Sequence, residues 1–174
     1  HLEDKVRRNL PNALIVASQL LFNLQSVARA PMVAEQHYNT DNAMFARMLG
    51  PTMNYSCGYW KDAETLDEAQ RNKMDLICRK LDLKEGMSVL DIGCGWGGLS
   101  LYMAKEYGVK VTGVTISTEQ LAYAREHDAG HLVSWLLQDY RSMEGQFDRI
   151  VSGGMFEHVG RKNYDIFMKT TKRL

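Results

Sequence analysis

Three cysteines in 174 residues, Cys57, Cys78 and Cys94, are too far apart and odd in number to build a disulfide framework or a C-x-x-C pair. A reducing, cytoplasmic setting suits them. Charge of one sign is also missing: 21 Lys and Arg balance 21 Asp and Glu, for a formal net charge of +0. That argues against nucleic acid as an obligatory partner, since a phosphate-gripping protein carries a basic face. The short cluster Lys5-Val6-Arg7-Arg8 reads as a solvated stretch. No apolar run is long enough to span a bilayer, and no signal peptide is visible. Internal repeats and low-complexity segments are lacking as well. No metal-binding set stands out. What is left is one globular domain with enough chain for a sizeable core. The first residue is His, so the natural start is expected to be missing or replaced.

Residues 11–29 have the pattern of an amphipathic helix, with Leu14, Ala17, Leu21, Leu24 and Ala28 on one stripe. Pro11 suits its first turn and Pro31 follows its end. The stripe fits docking on the protein's own core, or, with Arg29 and the basic cluster, a membrane surface. Residues 36–60 are aromatic, polar and poor in period, with a short helix expected between Ala43 and Leu49. Thr65-Leu66-Asp67-Glu68 is a capping box. It opens a helix over 66–81 expected to turn Leu66, Ala69, Leu76, Ile77 and Leu81 inward. Strands and helices then alternate: strand 88–93, helix 97–107, strand 110–115, helix 118–127, a strand within 131–137, strand 147–152 and helix 161–172. Alternating β and α with mostly apolar strands predicts an α/β fold with a parallel, doubly wound sheet. Such sheets usually have more than four strands. These residues are therefore expected to belong to a longer protein and to lack the C-terminal strands, a compact four-strand domain being the other reading.

The most informative stretch is Val89-Leu90-Asp91-Ile92-Gly93-Cys94-Gly95-Trp96-Gly97-Gly98: an apolar strand, an acid, a glycine-rich turn and a helix start. Glycines let a ligand approach the main chain without meeting a Cβ, and the helix start presents free N–H groups. Gly93-x-Gly95-x-x-Gly98 also matches the dinucleotide pattern. A dinucleotide site, however, wants an acid at the end of the second strand for the ribose hydroxyls. Thr115 stands there, in Val114-Thr115-Ile116-Ser117. Asp91 lies two residues before the first glycine, and Asp139 follows the third strand in Leu137-Gln138-Asp139-Tyr140. Together they favour S-adenosylmethionine over a nicotinamide, although Asp139 by itself reads as a loop cap.

Four motifs carry a closer resemblance: Tyr55-Ser56-Cys57-Gly58-Tyr59-Trp60, Asp91 through Gly98, Val114-Thr115-Ile116-Ser117-x-x-Gln120 and Met155-Phe156-Glu157-His158-Val159-Gly160. In this order and spacing they resemble the cyclopropane-fatty-acyl-phospholipid synthases of the mycolic acid cyclopropane synthase family. His37-Tyr38-Asn39 is similar to the start of the catalytic domain of that family. The resemblance runs from about residue 20 to the end. It implies a Rossmann-like class I methyltransferase fold, with 1–30 as an N-terminal helical segment and 31–174 as the N-terminal part of the methyltransferase domain. Within that part, 31–87 would form a substrate or cap region and 88–174 the cofactor-binding sheet.

The resemblance further implies transfer of the S-adenosylmethionine methyl to a cis double bond of an unsaturated phospholipid acyl chain. Proton loss to a bound bicarbonate and ring closure follow. The enzyme would be peripheral to the inner face of the membrane and often paired as a homodimer. It carries Tyr55, Ser56, Gly93, Cys94, Gly95, Thr115, Ile116, Ser117, Thr118, Glu119, Gln120, Gln138 and Asp139 to the cofactor. Gln120 would serve the ribose or adenine edge in place of the missing acid. Cys57 and Glu157 go to the bicarbonate, Cys57 through its backbone N–H and Glu157 as an acceptor of the bicarbonate O–H. Without the resemblance, Cys57 reads as a small buried hydrophobe. Tyr55, Tyr59, Trp60 and Phe156 are candidates to stabilise positive charge on the substrate by roughly 0.5–2 kcal/mol each; Trp60 and Phe156 equally suit a core. His158 reads as structural or a cap. Further bicarbonate ligands, a His and a Tyr, come from the C-terminal half of the family. The 174 residues alone are thus expected to be inactive. A methyltransferase that closes no ring, and a cofactor-binding fragment without turnover, stay open as alternatives.

Overall fold

A computed structural model describes residues 42–174. The expected helix over 11–29 and the His37-Tyr38-Asn39 motif lie outside the described residues. Within them, two helices precede the sheet: α1 Asn42–Leu49 and α2 Leu66–Lys80. Then come β1 Ser88–Ile92, α3 Gly98–Tyr107, β2 Lys110–Thr115, α4 Thr118–His127, β3 Val133–Leu137 and β4 Arg149–Val151. A single turn α5 Phe156–Val159 and the helix α6 Tyr164–Arg173 end the chain, with 3-10 turns at Tyr140–Ser142 and Arg161–Asn163.

The four described strands are all parallel, in the order β3-β2-β1-β4. Side chains alternate across the pleat, so each strand feeds two cores. Val89, Val111, Val133, Trp135 and Val151 pack with Met74 and Cys78 of α2, Leu99 and Met103 of α3, and Leu121 and Ala124 of α4. Leu90, Ile92 and Val114 pack on the opposite side with Val159, Phe167 and Leu174. Helices on both faces explain why the strands read as continuous apolar runs. Because β1 pairs β2 on one side and β4 on the other, its C-terminal end is the point where the strand order reverses. That is where open α/β sheets bind ligands.

Local signals set the element ends. The capping box closes as expected: Thr65 Oγ1 accepts from the Glu68 N–H at 3.3 Å, and Glu68 Oε2 accepts from the Thr65 N–H at 3.0 Å. Ser117 caps α4, and left-handed Gly108 stops α3. Three expectations need correction. Helix α2 buries Ala69, Gln70, Met74 and Cys78, while Leu66 is exposed. The reason is the segment 54–59 docked along it, which presents backbone carbonyls to Gln70. The last helix begins at Tyr164, three residues later than expected, because left-handed Gly160 ends the unforeseen turn α5 and the chain must restart. Strand β4 is also shorter than 147–152. Its entry is clamped instead by Asp148, whose Oδ2 accepts from the N–H and the hydroxyl of Ser88 at 2.8 and 2.9 Å.

Candidate functional site

One cavity of about 210 Å³ opens at the reversal point. Every strand contributes its C-terminal end or the loop after it: Gly93–Trp96 after β1, Thr115 at the end of β2 with Ile116 and Ser117 after it, Gln138–Arg141 after β3, and Gly153–Met155 after β4. Residues 53–56 and Lys73 complete the wall.

The glycine turn forms its floor. The N–H groups of Gly93 and Cys94 both donate to the Val114 carbonyl, at 2.9 and 3.0 Å, which ties the turn to β2. Gly95 has φ +58°, and a Cβ there would meet nothing within 4 Å. The backbone at Gly95 is thus bare and faces open space, which suits close approach by a ligand. At Gly98 the pressure is the reverse: a Cβ would lie 1.9 Å from the Thr52 carbonyl oxygen. The segment before Tyr55 therefore rests directly on the start of α3. Trp96 locks the same contact from the turn. It is buried, donates its Nε1–H to Asn42 Oδ1 at 2.9 Å, and packs on Phe45 with ring centres 4.7 Å apart. Tyr55 stands edge-on to both rings and lines the cavity, largely exposed.

Asp91 lies beneath the turn, only 2 % exposed, with Oδ2 accepting from the Ser100 hydroxyl at 2.7 Å. Burial pushes its pKa up to about 6, and the Ser100 bond offsets part of that rise. The neighbouring thiol of Cys94 is held well above its ordinary value by burial and then by Asp91, so it is an inert wall group rather than a nucleophile.

At the end of β2, the Thr115 hydroxyl accepts from the Ser117 N–H at 3.1 Å and donates to Gln120 Oε1 at 3.0 Å. The free end of Gln120 is thus its amide nitrogen, a donor, on a buried side chain lining the cavity. A ribose hydroxyl would here meet an amide N–H rather than a carboxylate. Thr115 is a positioning group whose hydrogen bonds are already used. Gln138 likewise spends its amide nitrogen on Ser142, at 2.9 Å to the carbonyl. Asp139 caps the 3-10 turn by accepting from the Arg141 N–H at 2.9 Å. Its carboxylate also takes both Arg141 Nε, at 2.8 Å, and Nη2. Burial raises its pKa, but the bonds from Arg141 outweigh that and leave it below the ordinary range.

Eleven of the residues expected at a cofactor meet in this one cavity: Tyr55, Ser56, Gly93, Cys94, Gly95, Thr115, Ile116, Ser117, Gln120, Gln138 and Asp139. Thr118 and Glu119 do not line it; they sit exposed on the first turn of α4. Cys57 and Glu157 also are not among the lining residues, and both are exposed, although Ser56 and His158 beside them line it. The reading of Cys57 as a buried hydrophobe is overturned by that exposure. The two segments are nonetheless neighbours, since a Cβ on Gly154 would lie 3.9 Å from Ser56 Cβ and from the Tyr55 carbonyl. Among the four candidate aromatics only Tyr55 lines the cavity. Phe156 stacks on Tyr164 at 4.8 Å and packs edge-on to Phe167, as a core residue, while Trp60 and Tyr59 are exposed. His158 is exposed and lines the cavity.

Sequence reasoning missed Lys73 and Gln70. Gln70 is buried and donates Nε2 to the carbonyls of Ser56 and Asn54, at 2.8 and 3.3 Å. Lys73 donates from Nζ to the Ser56 hydroxyl at 2.8 Å. Their positions, on the same helix face as Met74 and Ile77, were the available signal. Polar residues at helical spacing within a buried stripe point to a polar partner. Among the described residues, no group of three His, Cys, Asp or Glu is arranged to hold a metal ion.

The comparisons with known proteins agree with one another. A family model described as mycolic acid cyclopropane synthetase matches residues 25–174. The cyclopropane-fatty-acyl-phospholipid synthase of Escherichia coli K12 is 55 % identical over 172 residues, 99 % of this chain and 45 % of that protein. A probable fatty acid methyltransferase of Pseudomonas putida is 44 % identical over 138 residues, 75 % of this chain and 35 % of that protein. In structure, the mycolic acid cyclopropane synthase CmaA1 complexed with SAH and CTAB superposes with a TM-score of 0.77 at 38 % identity. The match covers 82 % of this chain and 52 % of that one. The chain thus spans about half the length of the relatives it matches.

Proposed function

The chain belongs to the mycolic acid cyclopropane synthetase family, and from that premise we propose that the protein is a cyclopropane-fatty-acyl-phospholipid synthase. It would transfer the methyl of S-adenosylmethionine, as a methylene, to a cis double bond of a phospholipid acyl chain. Residues 31–174 would supply the N-terminal part of the methyltransferase domain and 1–30 a preceding helical segment. The observation that carries the reading is the convergence of Tyr55–Ser56, Gly93–Gly95, Thr115–Ser117, Gln120 and Gln138–Asp139 on one cavity at the strand-order reversal.

The residues fit such a cofactor. The bare backbone at Gly95 offers close approach. Asp91 is a buried carboxylate with one hydrogen-bonded oxygen, suited to a cationic ligand group. The Gln120 amide nitrogen is a spare donor for a ribose hydroxyl. When bound, S-adenosylmethionine supplies an electrophilic methyl group and bicarbonate supplies a base. An alkene is a feeble nucleophile, so the task of the chain is to hold it in line with that methyl. It must also keep water from the positive charge that develops on the acyl chain. Tyr55, on the cavity wall, would face that charge with its ring. Glu157 would accept the bicarbonate O–H, orienting the anion toward the proton to be removed, with the Cys57 N–H as a donor. Substrate access would be from a membrane surface, as a phospholipid substrate requires. Homodimer formation and dependence on a His and a Tyr from the C-terminal half of the family belong to the same proposal. The 174 residues alone would then give no product.

The test is to incubate the full-length protein with S-adenosylmethionine and vesicles of cis-unsaturated phospholipid, then determine the lipid mass and its alkene content. A gain of one CH₂ with loss of the alkene is the expected result. A gain with the alkene retained would replace the reading with the methyltransferase that closes no ring, which the Pseudomonas putida relative favours. No gain would refute both. Removing bicarbonate from the buffer should abolish turnover and leave cofactor binding intact.

A further inference from the structure

Lys73 is a charged group on the cavity wall that the reaction described above does not use. It projects from the middle of α2, is half-buried, and reaches the wall beside Ser56. Its ammonium is 2.8 Å from the Ser56 hydroxyl oxygen, and no carboxylate of the described residues forms an ion pair with it. The two carboxylates lining the cavity are engaged elsewhere: Asp91 with Ser100, Asp139 with Arg141. Burial draws the Lys73 pKa down to about 8, and only the Cys57 thiol beside it acts in the other direction. A partly desolvated ammonium with no counter-ion is costly unless an anion arrives.

The surroundings are built to hold this group still. The Ser56 carbonyl is fixed by Gln70 Nε2 at 2.8 Å, which sets the backbone carrying the hydroxyl. The Ser56 oxygen accepts from Lys73, so the hydroxyl hydrogen is left to donate. The ammonium keeps two further N–H bonds. One cation and one hydroxyl, side by side and with donors to spare, match the two oxygens of a carboxyl group.

We propose that Lys73 and Ser56 form a subsite for a carboxylate-type oxyanion at the Cys57 end of the cavity, with Lys73 as its counter-ion. The proposal rests on the cofactor reading above, and two ligands of that reading carry the required chemistry: the amino-acid carboxylate of S-adenosylmethionine, and bicarbonate. The experiment uses the full-length protein, K73M and K73R. Calorimetry measures the binding of S-adenosylhomocysteine and of 5′-methylthioadenosine, which lacks the amino-acid tail. Turnover is titrated with bicarbonate. If the tail is the occupant, K73M weakens S-adenosylhomocysteine about tenfold or more, leaves methylthioadenosine unchanged, and K73R recovers part of the loss. If bicarbonate is the occupant, both nucleosides bind as before and the bicarbonate needed for half-maximal turnover rises about tenfold or more. Equal weakening of both nucleosides, or no change in any of the three, overturns the proposal. Unchanged thermal midpoints in the variants separate these outcomes from misfolding. Failure of the unmodified protein to bind S-adenosylhomocysteine would instead remove the cofactor reading itself.

Discussion

Replacing Asp91 by Asn should stabilise the protein at neutral pH and not at pH 4. The carboxylate is fully buried, and its pKa rises from the ordinary 3.8 to about 6. At about 1.4 kcal/mol per pKa unit, that displacement is worth roughly 3 kcal/mol. The sign follows from proton counts. Between pH 4 and 6 the native protein holds a proton on Asp91 that the unfolded chain has lost. Stability therefore falls as pH rises through that window, and the whole penalty is present above pH 6. Asn carries no charge to desolvate, and its Oδ1 still accepts from the Ser100 hydroxyl, now 2.7 Å from Asp91 Oδ2. Urea unfolding of the full-length protein and of D91N, at pH 4, 5, 6 and 7, measures the difference. The expected gain of D91N climbs from near zero at pH 4 to roughly 2–3 kcal/mol at pH 7. The same gain at every pH, or a less stable D91N at pH 7, would refute the electrostatic account. Affinity for S-adenosylhomocysteine should move the opposite way and fall in D91N.

Gly98→Ala would put a Cβ 1.9 Å from the Thr52 carbonyl, backbone against backbone. Segment 50–56 must then lift off α3, so the thermal midpoint should drop by several degrees and S-adenosylhomocysteine binding should be lost together with it. Gln120→Ala removes the spare amide donor and should weaken S-adenosylhomocysteine about tenfold. The Thr115 oxygen still accepts from the Ser117 N–H in that variant, so adding Thr115→Val should lower the thermal midpoint further. Glu157→Gln should cut turnover at least tenfold in the full-length protein while leaving cofactor affinity nearly intact. If the two fall together, Glu157 does not hold the base.

Much of the architecture was legible because each element had its own local cause. The order of strands and helices from residue 66 onward followed from apolar runs and glycine breaks, and the capping box at Thr65 placed the start of α2 at its true position. The residues that line the cavity were legible through family motifs, yet their hydrogen bonds to one another were not. Thr115 and Gln120 stand five positions apart in sequence, and nothing there reveals that the hydroxyl is consumed in aiming the amide. Asp139 shows the same gap: its oxygens meet Arg141, two residues on, a local bond that sequence leaves as one option among several. Lys73 was overlooked for a different reason, although its place on the helix face of Met74 and Ile77 was a signal. On a helix of mixed polarity, a lysine is ordinarily a solvated side chain, and only the docking of segment 54–59 turns it into a wall of the cavity.

The electrostatics of the cavity argue that its ligand is charged. Asp91 and Lys73 both line it, and each is displaced toward its neutral form by burial. A pair in contact would behave oppositely, the acid falling and the base rising, because each charge favours the other. Neither group is among the causes of the other's displacement. Asp91 and Lys73 make no ion pair with each other, and burial disfavours the charged form of each. Charged groups of both signs on one cavity wall suit a ligand that carries charge of both signs. A ligand that brings a cation to Asp91 and an anion to Lys73 relieves both at once. Its affinity should then depend on its charged end as much as on its nucleoside, which is the difference between S-adenosylhomocysteine and methylthioadenosine that the K73M experiment reads.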